Sequence, residues 1–545
     1  MGTHRKGLLA ILILPTLWPG FAAAQQPCER LTQLKLDKTT VTSSAVVPAG
    51  AFKFPAPTNI VAPSVDLNAY CRVEAVARPT SDSEIKFEVW MPVTGWNGKY
   101  LQVGNGGFAG KIPTVAMTSP LQRGYATAGT DDGHTVTVHT DASWALGHPE
   151  KIIDFGYRAV HLTAVQTKAI LRAFYGRDPA RAYFDGCSDG GREALMEAQR
   201  YPKDFEGIIV GAPANDWTHL ISGFVWNEKA LQEDPASWIP PKKLAAVQRA
   251  ALAACDSLDG VKDGLIEDPR ACHFDPHTIL CQGSDTAECL TAPQVEALKN
   301  INDGPKNPRT GELLFPGYVA GDEAPLWDWP FWIVGFTAAS QAAQPQFANQ
   351  FFSNMMFDNP KWDFHTFDFD KDVTLTDKKM GPILNSNDPN LKPFQAHGGK
   401  LIQYHGWSDA AIAPLNSINY YERVAAAMGG GNGDSLATLG GFYRLFMAPG
   451  MGHCGGGSGP GDFGDLALGS RLQPHDPDHD VLSALEQWVE GGKAPDKLIA
   501  TKYNSAKGII MTRPLCPYPQ IAHYKSSGDT NDAANFECRT SKKTE

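Results

Sequence analysis

The chain is predicted to fold as an α/β protein: a mostly parallel sheet covered by helices on both faces, with a large insertion between its two halves. Three observations predict this. Strand-like apolar stretches alternate with helical periodicity from about residue 99 to residue 214. The alternation stops over residues 215–387, which are richer in Trp, Pro and Asp, and resumes at residue 400. In the first half, the turn Gly186-Cys187-Ser188-Asp189-Gly190 stands between a strand and a helix and carries the pattern Gly-x-Ser-x-Gly.

The first segment reads as an export signal. His4, Arg5 and Lys6 form a basic start, Leu8 to Leu17 is mostly apolar, and Ala22-Ala23-Ala24 is a small-residue cleavage site. Residues 1–24 are therefore expected to be removed, leaving a secreted or periplasmic protein. No cysteine follows the cleavage site directly and no later uninterrupted apolar run reaches spanning length, so no membrane anchor is expected. Loss of Arg5 and Lys6 takes the formal charge from −11 to −13. An acidic protein is poorly suited to nucleic acid or anionic membranes, where basic residues neutralise phosphate. The ten cysteines, all after the cleavage site, read as disulfides in an oxidising compartment, and no Cys-x-x-Cys pair suggests zinc.

Residues 99–104 read as a buried strand running into the glycine loop Gly104-Asn105-Gly106-Gly107. Residues 125–128 read as a second strand, and 150–175 carry apolar positions at helical spacing, among them Ile153, Val160, Ile170 and Phe174. The strand 182–184 leads into the Ser188 turn, followed by a helix over 191–200 and a strand over 207–210. Within the insertion a helix is expected over 240–254. Strands 400–404 and 443–447 and a helix over 479–491 complete the sheet's second half.

A Gly-x-Ser-x-Gly turn between strand and helix is the nucleophile elbow of an α/β-hydrolase, with the serine hydroxyl exposed on a strained backbone. A serine needs a base within hydrogen-bond reach, and the base an orienting acid; in this fold the order is Ser, then Asp or Glu, then His. Asp409 in His405-Gly406-Trp407-Ser408-Asp409 and His453 in Pro449-Gly450-Met451-Gly452-His453-Cys454 follow strands and fit that order. His405 is an alternative base that would invert it, and Asp409 could simply cap a turn. Cys187 precedes Ser188 and Cys454 follows His453. If those cysteines bond, Ser188 and His453 lie within roughly 14 Å at Cα. The oxyanion donors are expected to be the backbone N–H groups of Asp189 and of Gly107, with Gly106 close behind.

The loop Cys255-Asp256-Ser257-Leu258-Asp259-Gly260-Val261-Lys262-Asp263-Gly264-Leu265 offers carboxylates and carbonyls of the kind calcium takes. Side chains of Asp256, Asp259 and Asp263 with carbonyls of Val261 and Leu265 make the candidate shell; a solvated acidic loop is the equal reading from spacing alone. Trp327, Trp329, Phe331, Trp332 and Phe336 could line an apolar pocket over Ser188 or form the insertion's core.

Together, Gly186-Cys-Ser-Asp-Gly-Gly-Arg192, His405-Gly-Trp-Ser-Asp409, Pro449-Gly-Met-Gly-His-Cys454 and the acidic loop resemble the tannase/feruloyl esterase family, which includes mono(hydroxyethyl) terephthalate hydrolases. The resemblance covers nearly the whole mature chain. It implies an α/β-hydrolase core from residues 25–214 and 388–545, a lid domain from 215–387 with a structural Ca2+, and the triad Ser188, Asp409 and His453. It also implies the pairs Cys28–Cys71, Cys187–Cys454, Cys255–Cys272, Cys281–Cys289 and Cys516–Cys538. The implied activity is hydrolysis of small esters of hydroxycinnamic or gallic acids, of the kind plants make, through an acyl-enzyme. A terephthalate monoester would want an arginine fork, and residues 325–355 hold no Arg or Lys. A secreted serine peptidase on the same fold and a non-catalytic binding module are the rival readings.

Overall fold

The computed structural model describes residues 1–2, 25–54, 64–429, 435–464 and 473–540. Most of the export signal read from the sequence lies outside the described residues. A nine-stranded sheet organises the chain. Its strands are β1 (Thr39–Val47), β2 (Tyr70–Ala77), β3 (Ile85–Pro92), β4 (Lys99–Val103), β5 (Ala126–Thr130), β6 (Arg181–Cys187), β7 (Gly207–Gly211), β8 (Lys400–Gly406) and β9 (Tyr443–Ala448), in the order β1-β2-β3-β5-β4-β6-β7-β8-β9. β5, β4, β6, β7, β8 and β9 are parallel. β1, β2 and β3 extend one side as antiparallel strands.

The parallel strands are mostly apolar and largely buried because both faces are covered, with Gln102, Asp185, Gln403 and His405 among the buried polar exceptions. Alternation sends neighbours to opposite faces. Phe184, Ile208 and Leu401 join one core with the helix α1 (Ala159–Tyr175) and α2 (Asp189–Arg200), whereas Tyr183, Ile209 and Ile402 join another with Leu482, Leu485 and Trp488. A third core, over one end of the sheet, is built largely from residues between β7 and β8, including α3 (Trp217–Gln232), Phe347, Phe351 and Phe352. Residues 212–399 add no strand to the sheet.

Two local departures from the expected elements have identifiable causes. The helix read over 150–175 is one helical run broken by a π-helical turn at Asp154–Arg158. The Gly156 carbonyl there accepts from the buried Arg192 guanidinium at 2.7 Å, and Phe155 O accepts at 2.9 Å. α2 starts at Asp189, two residues before its expected position, so Gly190 and Gly191 are helical. Glycine is required there: a Cβ on Gly191 would meet Gly211 O at 2.3 Å and one on Gly190 would meet Asn105 O at 2.8 Å. The structure closes five disulfides, Cys28–Cys71, Cys187–Cys454, Cys255–Cys272, Cys281–Cys289 and Cys516–Cys538. Among the described residues no helix is long and apolar enough to cross a membrane.

Candidate active site

Ser188 follows β6 and caps α2 with φ 67° and ψ −120°, a left-handed conformation that costs a non-glycine residue of order 1–3 kcal/mol. The surroundings hold it there. Its N–H donates to Gly211 O at 3.0 Å, and its carbonyl accepts from Arg192 N and Ala214 N, both at 3.1 Å. The hydroxyl is left at the surface of a pocket and makes no side-chain hydrogen bond among the described residues.

Asp409 and His453 come from the loops after β8 and β9. His453 Nδ1 donates to Asp409 Oδ2 at 2.7 Å, and Asp409 Oδ1 accepts the N–H groups of Ala411 and Ile412, each at 2.8 Å. Asp409 is buried. Burial alone would raise its carboxyl, but the His453 and His405 rings outweigh that and hold it well below the usual carboxylate range. The disulfide Cys187–Cys454 brings the residues beside Ser188 and His453 to a Cα separation of 6.0 Å. Trp332 joins the two sides, since it lines the Ser188 pocket and packs edge-on against the His453 ring with centroids 5.1 Å apart.

His405 is not placed as a base. It is fully buried, and both ring nitrogens are engaged, Nδ1 with Ser417 Oγ and Nε2 with Asp409 Oδ2 and Ile412 O. His475, His479 and His523 are exposed or partly so and lie outside the set, as their polar stretches suggested.

Gly107 lines the same pocket as Ser188 and Asp189. The N–H of Asp189, first residue of α2, can have no intrahelical acceptor. The Gly107 loop is stitched to the elbow: Asn105 N donates to Glu193 Oε2 at 3.0 Å and Asn105 O accepts from Gly190 N at 2.8 Å. Gly107 has φ 62°, and a Cβ there would meet the His139 Cβ and carbonyl oxygen at 2.7 Å. Gly106, the other expected donor, is exposed. The Asp189 carboxylate is buried against Arg192 Nε at 2.5 Å, so it serves the interior of α2 and not the pocket.

The pocket, an open space of about 380 Å³, is otherwise lined by Ala214, Trp217, Leu220, Ile221, Phe224, Trp332, Phe347, Ala411 and Ile412. Of the aromatic cluster read from the sequence, Trp332 alone lines it. Trp329 is buried in the neighbouring core, while Trp327 and Phe336 are exposed. Sequence reading missed α3, whose residues 217, 220, 221 and 224 form one helical stripe; that spacing was the available signal.

The acidic loop lies far from Ser188 in sequence but close to Asp409 in space. Leu265 and Asp409 border one polar cavity, and Leu265 packs against Gly450, three residues before His453. Asp256 is buried, and its Oδ1 accepts from Gly264 N at 3.0 Å. Asp263 pairs with the buried Arg513 guanidinium. Burial pushes the Asp259 carboxyl up to about 6 and Glu267 up to about 8. An all-oxygen set of Asp256, Asp259, Asp263 and Glu267, the last three beside Arg513, fits a hard cation in chemistry. Its side-chain oxygens are not among the groups that converge within 4.8 Å of one another in the described residues.

A mixed sheet with a strained serine after β6, and with Asp and His after the parallel strands β8 and β9, defines an α/β-hydrolase. The model of the family described as tannase and feruloyl esterase matches residues 71–539. The chain is 44% identical over 534 residues to an uncharacterised esterase of Xanthomonas campestris, covering 95% of this chain and 92% of that one. It is 32% identical over 587 residues to the mono(2-hydroxyethyl) terephthalate hydrolase of Piscinibacter sakaiensis, with 95% and 92% covered. The crystal structure of feruloyl esterase B from Aspergillus oryzae superposes with a TM-score of 0.83 at 29% identity, covering 94% of this chain and 99% of that one. This chain belongs to the tannase and feruloyl esterase family, and it is a carboxylic ester hydrolase of that type.

Proposed function

We propose that the protein is an exported serine esterase that cleaves esters of uncharged aromatic acids, hydroxycinnamates foremost, through a Ser188 acyl-enzyme. The observation that carries this reading is the joint placement of Ser188, Gly107 and Asp189 on one aromatic-walled pocket whose rim holds Trp332 against His453. His453 Nε2 takes the Ser188 proton as Oγ attacks the ester carbonyl. Asp409 holds the Nδ1–H tautomer and stabilises the imidazolium. The N–H groups of Gly107 and Asp189 receive the oxyanion. The alcohol departs with the proton from His453, and water repeats the sequence to release the acid.

The pocket's composition favours an uncharged acyl group. Beyond Ser188 and Asp189 its lining offers aliphatic and aromatic side chains and, among the described residues, no Arg or Lys. The carboxylate of a terephthalate monoester would lose its hydration there without a cationic partner. Gallate's phenols would likewise lack side-chain acceptors. The acidic loop is proposed to bind a structural Ca2+ through Asp256, Asp259, Asp263 and the carbonyls of Val261 and Leu265; the ion would neutralise the loop and brace the chain beside Gly450. The five disulfides support an oxidising location outside the cytoplasm.

The test is hydrolysis of methyl ferulate, chlorogenate, methyl gallate, mono(2-hydroxyethyl) terephthalate and a peptide amide, with Ser188→Ala as the blank. Turnover of the hydroxycinnamates above the other three, absent in the blank, is expected. Turnover surviving in Ser188→Ala would overturn the mechanism, and the terephthalate monoester as the best substrate would overturn the specificity.

A further inference from the structure

Asp409 has a second histidine. Its Oδ2 accepts from His453 Nδ1 at 2.7 Å and from His405 Nε2 at 3.1 Å. Its Oδ1 is already taken by the Ala411 and Ile412 N–H groups. Each oxygen thus receives two donors, which matches the capacity of an ionised carboxylate.

The proton positions on His405 follow from its neighbours. Nε2 faces Asp409 Oδ2 and Ile412 O, both at 3.1 Å and both acceptors, so Nε2 must carry a proton. Nδ1 faces Ser417 Oγ at 2.7 Å. Ser417 Oγ accepts from Gln403 Nε2 at 2.7 Å, which leaves its own proton for His405 Nδ1. Gln403 Oε1 in turn accepts from the Tyr443 hydroxyl. Every member is buried. A directed chain therefore runs from Tyr443 on β9 through Gln403 on β8 and Ser417 on α4 (Leu415–Gly429) to His405 and Asp409.

We infer that His405 is a positioning residue for the triad, a fixed-tautomer donor that orients the Asp409 carboxylate so that Oδ2 meets His453 Nδ1. This rests on the reading of Asp409 and His453 as acid and base. His405 touches neither the pocket nor Ser188, so it acts only through Asp409. Its N–H draws charge from the oxygen that also serves His453. Without it, Asp409 becomes a stronger acceptor and the His453 imidazolium is better stabilised. The same loss frees the carboxylate to rotate, which lowers turnover. The other ionisable groups facing this carboxylate are Asp328 and Tyr318, with Asp322 beyond Asp328. These remain in place when His405 is changed.

The experiment is kcat/KM for methyl ferulate against pH in wild type, His405→Leu, His405→Gln and Ser417→Ala, with melting curves for each. A Leu side chain removes the donor. Gln restores an N–H near the Nε2 position. His405→Leu is expected to lower kcat by 10- to 100-fold, leave KM within about threefold, and move the acid limb to higher pH. His405→Gln should recover most of kcat and return the limb. Ser417→Ala leaves His405 in place but releases its tautomer, and should lower kcat several-fold; it also decides the matter if His405→Leu does not fold. A folded His405→Leu with the wild-type limb and kcat, a His405→Gln no better than Leu, or a Ser417→Ala with wild-type kcat would each overturn the inference. Asp409→Asn is the separate control: wild-type turnover in that variant would remove the triad reading itself.

Discussion

Removing the Cys187–Cys454 bond perturbs both the global stability and the base. The bond closes a sequence separation of 267 residues. The chain-entropy relation gives a closure of that length roughly 5–6 kcal/mol, and loss of a native disulfide commonly costs about 2–5 kcal/mol. The local effect is separate. The two cysteines immediately flank Ser188 and His453, and their Cα atoms are 6.0 Å apart. His453 is otherwise held by its Asp409 hydrogen bond and the Trp332 ring. A displacement of about 1 Å at a reacting group can cost on the order of 100-fold in rate. In Cys187→Ser/Cys454→Ser, kcat for methyl ferulate should therefore fall by about 10- to 100-fold at a temperature where the variant is folded. KM should change little, because the pocket is built from other residues. Each single serine variant should lose as much as the double, since all three lack the same bond. A folded double variant with wild-type kcat would refute the argument that the bond sets the Ser188–His453 geometry, whatever happened to its melting temperature.

Gly107→Ala places a Cβ against His139 at a backbone φ of 62°, so the loop must move and take the proposed oxyanion donor with it. The expected result is a loss of about 10²–10³ in kcat with KM largely kept, and an unchanged kcat would remove Gly107 from the oxyanion hole. His219 on α3 lies between Asp216 at 3.2 Å and Asp377 at 2.9 Å. Burial pulls its ring down, but the two carboxylates outweigh burial and push it up to about 10. Because that exceeds the unfolded value of about 6.5, its contribution is fully present below pH ~6.5 and is lost as pH rises through about 10. Urea midpoints should thus separate wild type from His219→Gln widely at pH 6 and narrowly at pH 10. Excess chelator should lower the melting temperature after prolonged equilibration, and Asp256→Asn should reproduce that loss without added chelator; identical melting curves with and without chelator would count against the calcium loop.

The parallel half of the fold and the placement of Ser188, Asp409 and His453 after parallel strands were legible because their signals are local. Strands buried on both faces are mostly apolar, so 99–103, 207–211 and 400–406 stand out from their surroundings despite Gln102, Gln403 and His405. The elbow is a fixed pattern of small residues forced by backbone contacts, such as that of Gly191 against Gly211 O. β1 and β2 carried no such mark. β1 reads Thr-Thr-Val-Thr-Ser-Ser-Ala-Val-Val with mixed exposure, and its register is fixed by long-range pairing with β2 and not by its own composition. The pocket was legible only in part, for a different reason. Trp327, Trp329, Phe331, Trp332 and Phe336 look alike in sequence, and only the turn of a four-residue helix sends Trp332 towards His453 and leaves Trp327 in solvent. His405 was hidden most deeply. A histidine four residues before an aspartate offers a base, a turn residue or a core group with equal ease. What separates these readings is the identity of the atoms around Nδ1 and Nε2, contributed by β8, α4 and the Asp409 loop, which meet only after the sheet has formed. A buried ring with an acceptor on each side of one nitrogen and a hydroxyl on the other has no freedom to act as a base, and that constraint makes it useful to the carboxylate beside it.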